Sequence, residues 1–382
     1  MVVIATGALL AGCATPQPTT PPPPPQPPVQ PAPVPPPIVA PPRLGLLLPL
    51  TGTAAALGAD LLDAAQMALF DAGSDDLVVL PRDTGETPEA ALAAVRAALA
   101  DGARLIVGPL FSGATTAVRG IAAANNVPVL ALTNDAAAAG TGAWVLGFRP
   151  EEQVERVVDY AQGRGLMRLA ALVADDAYGQ RAAGAFRAAA GADAVVVTYP
   201  VADGSDPSEA IGRLLSLTAG APDGLLLADG GLRLQSVMEI LRFRGLDPTR
   251  VRLLGTARWL DDPDLAGSPL LAGAWVAAVE PAATAAFARR FADLYGRTPS
   301  PLAGLAYDAT ALGAALLNAP GPVDPATLTT ESGFAGRLGI FRLLPNGLAE
   351  HGLAVLELGD GAPFVLDPAP RLFRPSPAGP GA

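Results

Sequence analysis

The chain has 382 residues, half of them hydrophobic, a formal net charge of −11 at pH 7, and basic residues that are all arginine. That length supports one large two-lobed domain or two ordinary ones, and an acidic balance with no arginine cluster excludes a phosphate backbone, so no nucleic-acid partner is expected. A single cysteine, Cys13, excludes an intramolecular disulfide and a cysteine metal cluster.

Val2 to Leu10 form an apolar segment too short to span a bilayer, which takes about 20 residues, but long enough for the hydrophobic part of a signal peptide over residues 1–12. The run ends in Leu10, Ala11, Gly12, Cys13. This order resembles the lipobox of bacterial lipoproteins, which implies cleavage before Cys13 and lipid attachment to its thiol. Several acyl chains, at about 0.8 kcal/mol per buried CH₂, are needed for stable anchoring, and a fully processed lipoprotein cysteine supplies them. From Pro16 to Pro42 the composition favours polyproline II. Residues 13–42 therefore read as a lipidated cysteine and a disordered tether, able to hold the following domain on the order of 80 Å from a membrane surface.

From Arg43 onward, short apolar runs alternate with segments of helical period. "LGLLLPL" at Leu44 predicts a strand, and "LGADLLDAAQMALFDAG" a helix with Leu62, Ala65 and Leu69 on one face and Gly73 as its stop. "LVVLPRD" is followed by "TPEAALAAVRAALADG", in which Thr87 is an N-cap and Pro88 fits the first helical position. "RLIVGPL" leads into a helix from about Ser112, and "VPVLALT" leads to "AWVLGF". A second series opens at "RPEEQVERVVDYAQGRG", with strands "RLAALVA", "AVVVTYP", "GLLLADG" and "RLLGTA" and a helix start at Asp206, Pro207, Ser208, Glu209 that reads as a capping box. Beyond Pro281 come two consecutive helices, then the short strands of "GRLGIFRLLPNG" and "GLAVLEL", then a loose tail, 368–382. Alternating strands and helices imply parallel sheets joined by right-handed crossovers, and two series imply two lobes: 43–148 with 281–335, and 149–280 with 336–367.

The catalytic inventory is thin. The one histidine, His351, has no serine or cysteine motif to serve and reads as a surface or turn residue. Without lysine there is no Schiff base and no P-loop lysine, and the pairs Asp75-Asp76, Asp175-Asp176 and Asp261-Asp262 read as solvated turn acids. The expectation is a protein that is not an enzyme and carries no cofactor or metal. Binding is better supported, because ligands of an open parallel sheet lie outside the carboxyl ends of its strands. Four stretches fall there: "GPLFSG" with Ser112 near a helix N-terminus, "LTND" with Thr133 and Asn134, "DDAYGQ" with Tyr178, and "LADGG" with Asp229. Each also has a local reading as cap, turn former or packing residue.

The stretches "LLLPLTGTAAALGADLLDAAQMA", "IVGPLFSGATTAV", "NNVPVLALTND", "DDAYGQRAAGAF" and "GFAGRLGIFRLLPNG" resemble type 1 periplasmic binding proteins of the leucine/isoleucine/valine class, over about Leu44 to Asp367. The resemblance implies the two-lobed α/β fold, each lobe a parallel sheet flanked by helices, with hinge crossovers between them. It also implies that Ser112 and Thr133 hold a ligand carboxylate and that Tyr178 packs over the ligand. Asp229 is the candidate for the acid that meets its amino group. "LPRDTGETPEAA", "GFRPEEQVERVVDYA" and the tether look closer to the penicillin-binding-protein activator lipoproteins of Gram-negative bacteria. Those touch an inner-membrane peptidoglycan synthase from the outer membrane, and Ala14 after the cysteine also resembles outer-membrane lipoproteins. The expected function is a lipid-anchored, non-catalytic activator of a peptidoglycan synthase (a penicillin-binding protein) on the periplasmic side of the outer membrane; the alternative is a receptor presenting a branched-chain or other small amino-acid-like ligand to an ABC transporter permease.

Overall fold

The computed structural model describes Val2 and residues 41–373, except 74–75, 192–193, 203–204, 219–221, 248–249 and 360. Cys13, the signal peptide and the tether up to residue 40 lie outside the described residues, as does the tail from residue 374. No helix among the described residues is long and apolar enough to cross a membrane.

The first series forms β1 (Arg43–Leu48), α1 (Ala55–Ala72), β2 (Val78–Asp83), α2 (Pro88–Ala100), β3 (Leu105–Val107), α3 (Ser112–Ala124), β4 (Val129–Ala131) and β5 (Ala143–Val145). Its strands pair in parallel in the order β2-β1-β3-β4-β5. Period-two alternation sends Leu44, Leu46 and Leu48 of β1 to one face, and Leu47, with Ile106 and Val129, to the other. Both faces are therefore apolar and both are covered, as a parallel sheet requires. Thr87 caps α2 by accepting from the Ala90 N–H at 3.2 Å, with Pro88 at the first helical position, as the sequence pattern predicts. Gly73 ends α1 in the left-handed conformation (φ 57°). The buried face of α1 differs from the expected one: Leu61, Ala64, Ala65 and Ala68 are buried, while Leu62 and Leu69 are only half-buried. This helix is apolar around most of its circumference, so spacing alone leaves its orientation open.

The second series runs α4 (Pro150–Gly163), β6 (Leu169–Ala174), α5 (Ala177–Ala190), β7 (Val195–Tyr199), α6 (Ser208–Leu217), β8 (Gly224–Ala228), α7 (Gly231–Phe243), β9 (Arg252–Thr256), α8 (Pro263–Ala266) and β10 (Trp275–Ala278). Its parallel order β7-β6-β8-β9-β10 repeats the order of the first sheet. Helix α6 starts at Ser208 with Pro207 in the cap position and no side-chain cap; Asp206 instead accepts from the Ser208 N–H at 2.8 Å, so the predicted capping box is not made.

From β10 the chain returns to the first sheet through α9 (Pro281–Tyr295) and α10 (Ala303–Asn318), which pack against α1 and the β1–β3 face. After α11 (Pro325–Leu328), the strands β11 (Phe334–Ala335), β12 (Ile340–Leu343) and β13 (Ala349–His351) form a small antiparallel sheet. Phe341, Leu343 and Ala349 enter the core of the first lobe, although the sequence pattern places 336–367 in the second. Only β14 (Ala354–Glu357) and β15 (Phe364–Asp367) go there, joining antiparallel to the β10 edge. Three crossings thus link the lobes, at 146–149, 279–280 and 352–353.

Candidate functional site

The carboxyl ends of β3 and β4 bring two of the predicted stretches together. Gly108 follows β3 with φ +90°, and a Cβ there would lie 2.1 Å from the Leu47 carbonyl oxygen, so only glycine lets the chain pass β1 before turning into α3. Ser112 opens α3, and its hydroxyl donates to Asp135 Oδ2 at 2.5 Å. Thr133 is buried, and its Oγ1 accepts from the Asp135 N–H at 3.2 Å. The hydroxyls expected to receive a ligand carboxylate are thus engaged by Asp135. The Ser112 hydrogen bond, the Ala137 N–H and Arg181 together hold the Asp135 carboxyl below the usual carboxylate range, against the cost of its burial.

Arg181 comes from α5 in the other lobe. It donates to the Asn134 carbonyl at 2.7 Å and stands 3.6 Å from Asp135 Oδ1. Asn134 therefore contributes its backbone, with its side chain exposed. Helix α5 is aimed by Asp176, which accepts from the Gly179 N–H at 2.8 Å, and by the absence of a side chain at Gly179, whose Cβ would lie 2.0 Å from the Ala174 carbonyl oxygen. Tyr178, one residue before, donates its hydroxyl to Thr256 Oγ1 at 2.9 Å. The Arg258 guanidinium stacks over its ring at 4.6 Å, and burial pushes its hydroxyl pKa up to about 12.

Asp229 follows β8 and is fully buried. Its carboxylate accepts from the Tyr199 hydroxyl, from Arg233 Nε at 3.0 Å and Nη2 at 2.9 Å, and from the Gly230 N–H at 2.8 Å. Against the expectation that Asp229 meets a ligand amino group, its oxygens are taken by the protein itself. Burial, together with the Asp229 carboxylate, drives the Tyr199 hydroxyl upward.

His351 also departs from its expected surface position. Its side chain is 8% exposed, its Nδ1 lies 3.1 Å from Glu152 Oε1, and its ring packs 4.4 Å from Phe148. It sits beside the crossings, where Asp308 is buried and accepts from the Leu338 N–H at 3.1 Å and from the Arg337 N–H.

A cavity of about 300 Å³ opens between the lobes. The loop after β9 contributes Leu260 and Asp261, α9 contributes Phe287, the loop before α10 contributes Pro299, Ser300 and Pro301, the crossings contribute Phe148, Val279 and Leu353, and the turn between β11 and β12 contributes Leu338. None of Ser112, Thr133, Asn134, Tyr178 or Asp229 lines it. Asp261, read from sequence as a solvated turn acid, does. The signal that distinguishes it from Asp262 is local: Asp262 caps the next turn through the Asp264 and Leu265 N–H groups, leaving Asp261 as the acid that faces the gap.

The sequence profile of the family described as periplasmic binding protein matches residues 41–362. An uncharacterized protein of Rickettsia prowazekii is 30% identical over 117 residues, a match that spans only 31% of this chain and 31% of that protein. Among solved structures, a branched-chain amino acid ABC transporter periplasmic ligand-binding protein from Burkholderia xenovorans superposes with a TM-score of 0.71 at 21% identity, covering 87% of this chain and 96% of that one. A leucine binding protein from Thermotoga maritima gives 0.62 at 19% identity, covering 86% and 98%. At these identities the likeness establishes the fold.

Proposed function

This chain belongs to the periplasmic binding protein family, and from that premise we propose that it is a non-catalytic solute receptor that closes two lobes on a small ligand and presents it to an ABC transporter permease. The family implies a periplasmic location. The carrying observation is the cavity between two sheets of the same strand order, lined from both lobes and from the crossings that let them move. The lipobox-like sequence before Cys13 and the proline-rich composition of residues 16–42 support the further proposal that the receptor is lipid-anchored on the periplasmic side of the outer membrane. The structures named above were described as branched-chain and leucine binders, which motivates amino acids as the first solutes to test.

A second reading, the activator of a peptidoglycan synthase, draws support from one observation: Asp135 already occupies Ser112, and Asp229 is already satisfied by Tyr199 and Arg233. In that reading the cleft is vestigial and a lobe surface makes the productive contact.

Thermal-shift screening of the purified protein against solutes, beside capture of membrane-embedded synthases on the immobilised protein, separates the two. A solute present at 100 times its Kd stabilises by about 2.7 kcal/mol, easily seen as a raised Tm. No shift with any solute, together with synthase capture, overturns the receptor and supports the activator.

A further inference from the structure

The cavity between the lobes differs chemically from the cluster around Ser112. Among the described residues, Asp261 is the only charged one that lines it. Among the described residues Asp261 makes neither a hydrogen bond nor an ion pair, although Arg258 is near enough to act on it electrostatically. The rest of the wall is mainly apolar, with Phe148, Leu260, Phe287 and Leu338 among its largest side chains, and Thr284 and Thr298 add neutral hydroxyls. Gln153 reaches the cavity, but its amide is spent on the Ala257 N–H at 2.8 Å and the Phe148 carbonyl at 3.4 Å. Ser300 leaves a buried hydroxyl without a partner.

This wall selects by charge. A carboxylate would meet hydroxyls at most, with no cation among the lining residues, and would face Asp261, and burying a carboxylate without a counter-charge is costly. A zwitterionic amino acid suffers the same penalty at one end. A neutral apolar molecule would fill the volume but strip water from Asp261 without replacing it. A cation with an apolar body answers both features: its charge pairs with Asp261 at the rim, and its body lies on the aliphatic and aromatic wall. The protein's net charge of −11 favours its approach.

We infer that the cavity is the receptor's ligand site and that it takes a small apolar amine, held by the Asp261 carboxylate with Ser300 as the inner polar contact. The inference rests on the receptor reading and sharpens it. A volume of 300 Å³, at the small end of ligand pockets, suits one ring on a short aminoalkyl chain.

Phenethylamine, benzoate and leucine serve as probes in isothermal titration of the purified full chain, alongside its Asp261→Asn and Asp261→Arg variants. Asp261 is exposed at the cavity rim, so both variants should fold, which circular dichroism checks. Phenethylamine is expected to bind the unaltered protein, at least tenfold more weakly to Asp261→Asn and not measurably to Asp261→Arg, and Asp261→Arg is expected to gain affinity for benzoate. Leucine or benzoate binding the unaltered protein in place of phenethylamine overturns the amine assignment and leaves the receptor intact. Phenethylamine bound equally by all three proteins overturns Asp261 as its partner. If none of the probes binds, the amine assignment falls, and the receptor falls with it only when the wider solute screen is also blank.

Discussion

Three buried or half-buried acids show how residue type underdetermines role. Asp135 and Asp229 both follow strand ends, where a ligand group could meet them, yet each is closed by the protein's own donors. Asp308 sits inside α10 and has its carboxyl pushed up to about 6, chiefly by burial, against the Arg337 and Leu338 N–H groups, His351 and Arg337, which favour its charge. A carboxyl raised from 3.8 to about 6 keeps its proton longer in the folded protein than in the unfolded chain. Its contribution to stability is therefore fully present below pH 3.8 and is lost as pH rises through 6, by roughly 1–3 kcal/mol. Urea unfolding between pH 4 and 7 should show that loss, clear of the opposite trend from Asp135, whose lowered pKa costs stability only as pH falls below 3.8. In Asp308→Asn the loss between pH 4 and 6 should disappear; an unchanged pH profile would show that Asp308 titrates normally. None of this was legible in the sequence, because burial is set by the side chains that close over a residue. Ser112 as a helix start was legible, since a helix terminus is specified by the few residues around it.

The elements were read well wherever their signals were local. Strand runs such as "LGLLLPL" and "GLLLADG" became β1 and β8, and the Thr87–Pro88 start became the cap of α2. Strand β10 went unread because Trp275–Ala278 is short and half alanine, a residue of weak strand preference. The β11–β13 sheet is built of strands of two to four residues whose pairing depends on the lobe they meet. One close junction is where α5 leaves β6. In Gly179→Ala the new methyl would sit 2.0 Å from the Ala174 carbonyl oxygen, backbone that cannot rotate away, and overpacking of this kind costs about 1–3 kcal/mol. Thermal unfolding should record a lowered Tm, whereas Gly184→Ala on the same helix, with nothing within 4 Å of the added atom, should hold or raise it. Equal effects at the two positions would refute the close approach.

At the scale of the molecule, the two lobes meet through Arg181, which ties α5 to the Asn134 carbonyl and to Asp135 across the gap. A half-exposed bridge of this kind contributes about 1 kcal/mol to stability, but a hinge needs little more than that to shift its populations. Arg181→Ala should therefore leave urea unfolding nearly unchanged and increase the radius of gyration in small-angle X-ray scattering, as the lobes spend more time apart. An unchanged radius would mean that the crossings, with His351 packed against Glu152 and Phe148, set the lobe angle without it.

Alternation of apolar runs with helical segments, in two series, was enough by itself to determine parallel sheets and two lobes, because strand and helix periods and their caps are properties of neighbouring residues. Which lobe receives Phe341 and Leu343, which acid is spent and which faces the cavity, and how a histidine comes to lie against a glutamate 199 positions away were decided only by the tertiary structure. Those outcomes depend on partners distant in the chain, whose approach determines where water is excluded and hence which charges must be paired.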